Sequence, residues 1–175
     1  GKGPSLFTHD FNEDPVLRIA INDAGYIVPG VSILMMHDYN DSTDEIIRRT
    51  VSMHPDVKIF LPTNLSEKFT WINGINDKFA WYEHGADPDC PEHQLYHGNS
   101  TGCAAVGLAH RLQCTHVKMI GFDGVATTEE YGEHWPIHKE AISVDPNWGV
   151  HQSLHYAKSV VIMNELITHY GMEKL

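Results

Sequence analysis

Four short segments of this chain carry residue types suited to holding a nucleotide, its phosphates or the Mg2+ bound to them. The first is Gly1-Lys2-Gly3-Pro4-Ser5-Leu6. Gly1 and Gly3 lack the Cβ atoms that would hold backbone N–H groups away from a phosphate, and Pro4 stiffens the bend. Lys2 adds a charge, and the Ser5 hydroxyl adds a donor. Gly-Pro-Ser is also ordinary turn chemistry. Asn22 closes an apolar run, and its amide offers a donor and an acceptor together to a base or ribose. Asn also simply favours turns. Asn99-Ser100-Thr101-Gly102 opens a helix and presents hydroxyls and helix-terminal amides to an anion, which is compatible with plain N-capping. Asp123 lies between Gly121-Phe122 and Gly124. It can hold Mg2+ on a di- or triphosphate, with Asp38 as a second carboxylate, or accept a hydrogen bond from a hydroxyl. Either aspartate can equally be a turn residue.

The chain holds 13 histidines, and three pairs stand four residues apart: His93/His97, His134/His138 and His151/His155. Cys90-x-x-His93-x-x-x-His97 imitates the spacing of metal ligands, but it lies in a Pro- and Asp-rich loop with no second Cys pair. A structural zinc there is the lesser reading. His151 and His155 share one face of a helix, where a solvated or sheet-packed pair is the plain expectation. His134 differs because Glu133 and Trp135 flank it in a loop ending at Pro136. A free imidazole titrates near pH ~6.5, so it can take a proton from a hydroxyl at neutral pH. Trp135 offers a stacking surface, and His138 is the alternative base. The competing reading is a surface-loop histidine.

These residues need a frame. Val16–Ile21, Val31–Met36, Lys58–Leu61 and His116–Ile120 read as short continuous apolar strands, and Phe79–Tyr82 is a further candidate. A helix capped by Ser42 runs to about Ser52. A second, capped at Asn99–Gly102, runs to about Leu112. A third covers Asn147 to about Tyr170, with Leu154, Ala157, Val161 and Leu166 as its inner stripe. Buried strands alternating with helices predict an α/β fold: a Rossmann-like, doubly wound, mostly parallel sheet with helices on both faces. Ligands of such sheets bind beyond the carboxyl ends of the strands. Those ends carry Asn22-Asp23, His37-Asp38 and Asp123, and the opening turn is expected at the same edge.

Composition narrows the partners. One domain spanning 1–175 is expected from length. The opening turn lacks a strand before it, and Gly171–Leu175 looks like the start of another, so trimming at both ends is expected. Twelve basic against 23 acidic residues leave −11, and the longest basic cluster is Arg48-Arg49, which disfavours duplex nucleic acid. No apolar stretch reaches the ~18 residues of a membrane span. Three cysteines without C-x-x-C spacing point away from a disulfide framework and toward a cytoplasmic setting, with Cys103 a small core residue. Association of like chains stays open.

The order of Gly1–Leu6, Ala20-Ile21-Asn22-Asp23-Ala24, Gly98–Gly102, Ile120-Gly121-Phe122-Asp123-Gly124 and Glu133-His134-Trp135 resembles the sialyltransferase-like superfamily of Rossmann-type proteins. That superfamily includes CMP-sialic-acid-dependent sialyltransferases and archaeal 6-hydroxymethylpterin pyrophosphokinases, and the pattern is most similar to small phage-encoded members. The resemblance implies a glycosyltransferase taking a CMP- or UDP-type nucleotide-sugar and a glycan or small acceptor in a host cytoplasm. It implies that Gly1, Lys2, Gly3, Ser5 and Asn22 hold nucleotide, that Asn99, Ser100 and Thr101 line the donor pocket, and that His134 is the base. The sialyltransferases have Asn at the position of Lys2, which counts against CMP-sialic acid in particular. The alternatives are ATP-dependent pyrophosphoryl transfer to a pterin-like alcohol, with Mg2+ on Asp38 and Asp123, and a non-catalytic, virion-associated protein of the same fold.

Overall fold

The computed structural model describes residues 5–13, 17–69, 76–98, 100–122 and 148–175. They fall into two compact units, Asp10–Cys114, and Gly1–His9 with Thr115–Leu175.

The first unit is a five-stranded parallel sheet in the order β1-β2-β3-β4-β5, formed by Ile19–Ile21, Ile33–Met35, Lys58–Pro62, Phe79–Gly85 and Gln94–Tyr96. Parallel strands buried on both faces need apolar side chains pointing both ways. β2 meets this need with Ile33, Leu34 and Met35, all buried. Ile33 and Met35 pack with Tyr82, Leu95, Ala104 and Leu108, which places the helix Thr101–Arg111 on their face. Leu34 lies instead against Gly25 and Thr50. Those two residues belong to a 3-10 turn, Asn22–Tyr26, and to the helix Thr43–Met53. Helical elements therefore cover both faces, and the fold is α/β and Rossmann-like.

With Ser5–Thr8 as α1, the helices Thr43–Met53 and Thr101–Arg111 are α2 and α3. Ser42 stands at the N-cap of α2 without capping through its side chain. Asn40 instead holds the turn before the helix: its Oδ1 accepts from the Ser42 N–H at 3.0 Å and from the Ser42 hydroxyl at 2.7 Å. At α3 the expected cap is in place, the Ser100 Oγ accepting from the Cys103 N–H at 3.2 Å. Small residues on α3 let it lie close to the sheet, and Cys103 is fully buried. Helix α3 touches β5, which precedes it, and also β1.

Strands β3 and β4 run further than their apolar cores. Pro62 continues β3 by pairing with Tyr82, and β4 extends through Glu83 and His84 to Gly85. Strand β5 lies in a stretch where sequence patterning marks no strand. Only Ala86–His93 joins β4 to β5, eight residues by count from the strand bounds and short for a parallel crossover, which usually takes a dozen or more. Gly85 makes the tight return feasible, because a Cβ there would lie 2.3 Å from the Cys90 Sγ and 2.6 Å from its Cβ.

In the second unit, His116–Val117 (β6) pairs in parallel with Glu173–Lys174 (β7), and Trp148–His169 forms the long helix α4. The expected strand over 116–120 is only its first two residues. The inner stripe of α4 agrees with expectation in part. Leu166 is buried and Ala157 half-buried, but Val161 is 56% exposed, and Ser159, Met163 and Ile167 are buried instead; the Leu154 side chain lies outside the description. Helix α4 ends in a left-handed glycine, Gly171 with φ +65. The Gly171 N–H donates to the Thr168 carbonyl and the Met172 N–H to the Ile167 carbonyl, both at 3.0 Å, satisfying the last turn.

Gly85→Ala should destabilise the β4–β5 return by about 1–3 kcal/mol through overpacking against the buried Cys90, measured by denaturant unfolding. An unchanged midpoint would show that the return has room to spare.

Candidate metal-binding and ligand site

Strand alternation sends certain side chains to one place. Residues two apart along a strand share a face. Met35 pairs with Phe60 and Phe60 with Ala80; Pro62 pairs with Tyr82, and His84 with Leu95. Two positions beyond Met35 stands His37, two beyond Tyr82 stands His84, and two beyond Leu95 stands His97. All three therefore point to the α3 side of the sheet, at its carboxyl edge.

The rings meet there. His37 and His84 stack with centroids 4.6 Å apart, His37 and His97 lie 4.6 Å apart, and His84 and His97 lie 4.7 Å apart. One ring nitrogen of each falls within 4.8 Å of the other two. Beneath them the buried Tyr82 brings its hydroxyl to 3.4 Å from the His37 Nδ1. His84 is the most open of the three, which leaves the cluster approachable from solvent.

The surroundings of His37 and His84 disfavour their protonated forms. Burial is the main influence holding His37 below its ordinary value of 6.5; Asp38 opposes the shift, while His84 and His97 add to it. Partial burial, then His97, lowers His84 against the pull of Asp38. Burial and the Asp38 carboxylate push the Tyr82 phenol well above its usual range, so it stays protonated. Uncharged imidazoles do not attract an anion, but they offer lone pairs to a cation.

The other expected residues divide. Asn22 stands directly after β1 in the left-handed region, with φ +52, a conformation Asn adopts more readily than most residues. Asp38 is exposed beside the cluster, and its backbone carbonyl accepts from the Thr43 hydroxyl at 3.5 Å. Ser100 is committed to its cap, its hydroxyl also donating to the Cys103 Sγ at 3.3 Å, and Thr101 is buried. In the other unit, the Gly121 N–H donates to the Ser5 Oγ at 2.8 Å, so the opening segment meets the Gly121-Phe122 segment 116 residues later. Gly1, Lys2, Gly3, Asn99, Asp123 and His134 lie outside the described residues.

The Cys90/His93/His97 spacing does not become a ligand set. Cys90 is buried with its Sγ at the Gln94 carbonyl, and His93 faces Glu83 at 3.6 Å on the exposed side of the strand. His97 joins His37 and His84 instead. His84 escapes sequence reasoning because a polar residue after Phe79–Tyr82 looks like a strand end. The signal that finds it is the alternation Ala80, Tyr82, His84 against Trp81, Glu83. Comparison with family models, with curated proteins and with solved structures yields no match. Among the described residues no helix is long and apolar enough to cross a membrane.

Because His37 and His84 are harder to protonate folded than unfolded, the stability they carry is present above pH ~6.5 and is lost as pH falls through their folded values. In chelator-treated protein, NMR titration should show both rings titrating below a free histidine. Replacing both with Gln should flatten the acid limb of a pH–melting curve.

Proposed function

We propose that the chain is a nucleotide-dependent transferase that moves a sugar from a CMP- or UDP-type donor to an acceptor hydroxyl. The observation that carries this reading is the gathering of Asn22, His37, Asp38, His84 and His97 along the carboxyl edge of one parallel sheet. That edge is where sheets of this kind take their ligands. Parallel pairing brings every strand end to that edge, and what supports the reading is the set of residue types found there: an amide, a carboxylate and three imidazoles. Asn22 has a left-handed backbone at the first strand end, and its amide supplies the paired donor and acceptor that a base or ribose needs. The superfamily resemblance supplies the reaction class, with His134 as the acceptor base and Lys2 and backbone amides stabilising the leaving nucleotide.

A second reading is pyrophosphoryl transfer from ATP, favoured by the Asp38 carboxylate beside the cluster. Mg2+ takes one or two carboxylates plus phosphate oxygens, and Asp38 with Asp123 would supply the carboxylates.

Calorimetry on the chain should show binding of CMP, CDP or UDP without added metal if sugar transfer is right, and Mg2+-dependent binding of ATP if the second reading is. Asn22→Gly keeps the left-handed backbone and removes the amide. It should leave the melting temperature unchanged or raise it, while weakening nucleotide binding about 10-fold, the scale of a lost buried hydrogen bond. A chain that binds none of these nucleotides is the non-catalytic form of the fold, and the transferase reading fails.

A further inference from the structure

We propose that His37, His84 and His97 form a three-imidazole site for a zinc-class divalent metal ion, with a fourth coordination position open toward solvent. The proposal is independent of which nucleotide, if any, the protein uses.

The ligand type decides the class of ion. Imidazole suits zinc and its transition-metal neighbours, whereas Mg2+ and Ca2+ take oxygen ligands. Three histidines with an open position are the ligand set of catalytic zinc, while structural zinc is closed by four protein ligands. Distance is compatible as well. Nitrogens bound to zinc at ~2.0–2.1 Å stand roughly 3.3 Å apart in a tetrahedron. The three nitrogens already lie within 4.8 Å of one another, so modest ring rotations close the gap.

The surroundings fit the same use. Metal-bound histidines usually hand their second ring N–H to an oxygen that fixes the tautomer. Tyr82 is placed for that service: its hydroxyl lies 3.4 Å from the His37 Nδ1, so in the tautomer with the proton on Nδ1 the ring would donate to the phenol oxygen and offer its other nitrogen to an ion. Asp38 adds a negative charge close enough to influence His37, His84 and Tyr82, which favours a cation at the cluster. The backbone supplies rigidity, since His84 belongs to a paired strand and His97 follows one directly.

Titration of the chelator-treated chain with Co2+ should give one equivalent of binding and the intense visible absorption of a four-coordinate ion. Zn2+ should displace it. His37→Gln, His84→Gln and His97→Gln should each weaken Co2+ binding by at least about 100-fold, since even second-shell losses cost 10–100-fold. Cys90→Ser and His93→Gln should leave it unchanged. X-ray absorption on the Zn2+-loaded wild-type chain covers the case in which a variant misfolds, and three imidazole shells are expected. The site does not exist if the wild-type chain binds neither ion, or if the absorption spectrum shows sulfur ligation. Binding lost in Cys90→Ser or His134→Gln but retained in the three cluster variants overturns it too.

Discussion

Parallel pairing fixes more in this molecule than the position of its strands. Because the ladder from β2 to β5 keeps a constant register, a residue's face is set by whether it stands an even number of positions from Met35, Phe60, Tyr82 or Leu95. The core and the histidine cluster are thus one continuous surface. The apolar residues lie toward the middle of the sheet, and the imidazoles lie where it runs out. A slip of one residue in β4 would send Tyr82 and His84 to the opposite face, taking one imidazole from the cluster and the phenol from beneath it. The buried apolar residues that oppose such a slip, Leu95 and Met35 among them, are what hold the polar residues in place.

The acidity of the chain bears on what the cluster could hold. A formal charge of −11 repels free phosphate at long range. An ion held among the imidazoles would instead create a local positive centre at the sheet edge. Ser100 and Thr101, by contrast, are occupied in building α3.

Much of the sheet was legible because its strands are apolar runs bounded by turn residues. β1, β2 and β3 follow from Ile19–Ile21, Ile33–Met35 and Lys58–Pro62, and α3 follows from its cap and its small residues. Strand β5 was not legible, because Gln94-Leu95-Tyr96 carries one aliphatic residue, and its strand character comes from pairing with β4. The phase of α4 misled for another reason. Val160, Val161, Ile162 and Met163 are consecutive apolar residues, so helical periodicity alone cannot choose which of them faces inward. At the site, His37, Asp38 and His97 each stood out individually. Their meeting with His84 depends on pairing between distant strands, which no local pattern encodes. Cys90 and His93 showed the reverse, a ligand-like spacing that the fold spreads across buried and exposed sides.

The tie made by Arg111 near the carboxyl end of α3 has a mechanical consequence. Its guanidinium donates to the carbonyls of Cys90 and Pro91, in the return that feeds β5. Chain from Cys90 through β5, His97 and the whole of α3 is thereby closed into a loop fastened at the base. Such a loop resists opening in the manner of a buckled strap, because neither end of α3 can lift without straining the segment that carries His97. Whatever enters the imidazole cluster meets a frame that is already braced, and it has little backbone left to rearrange.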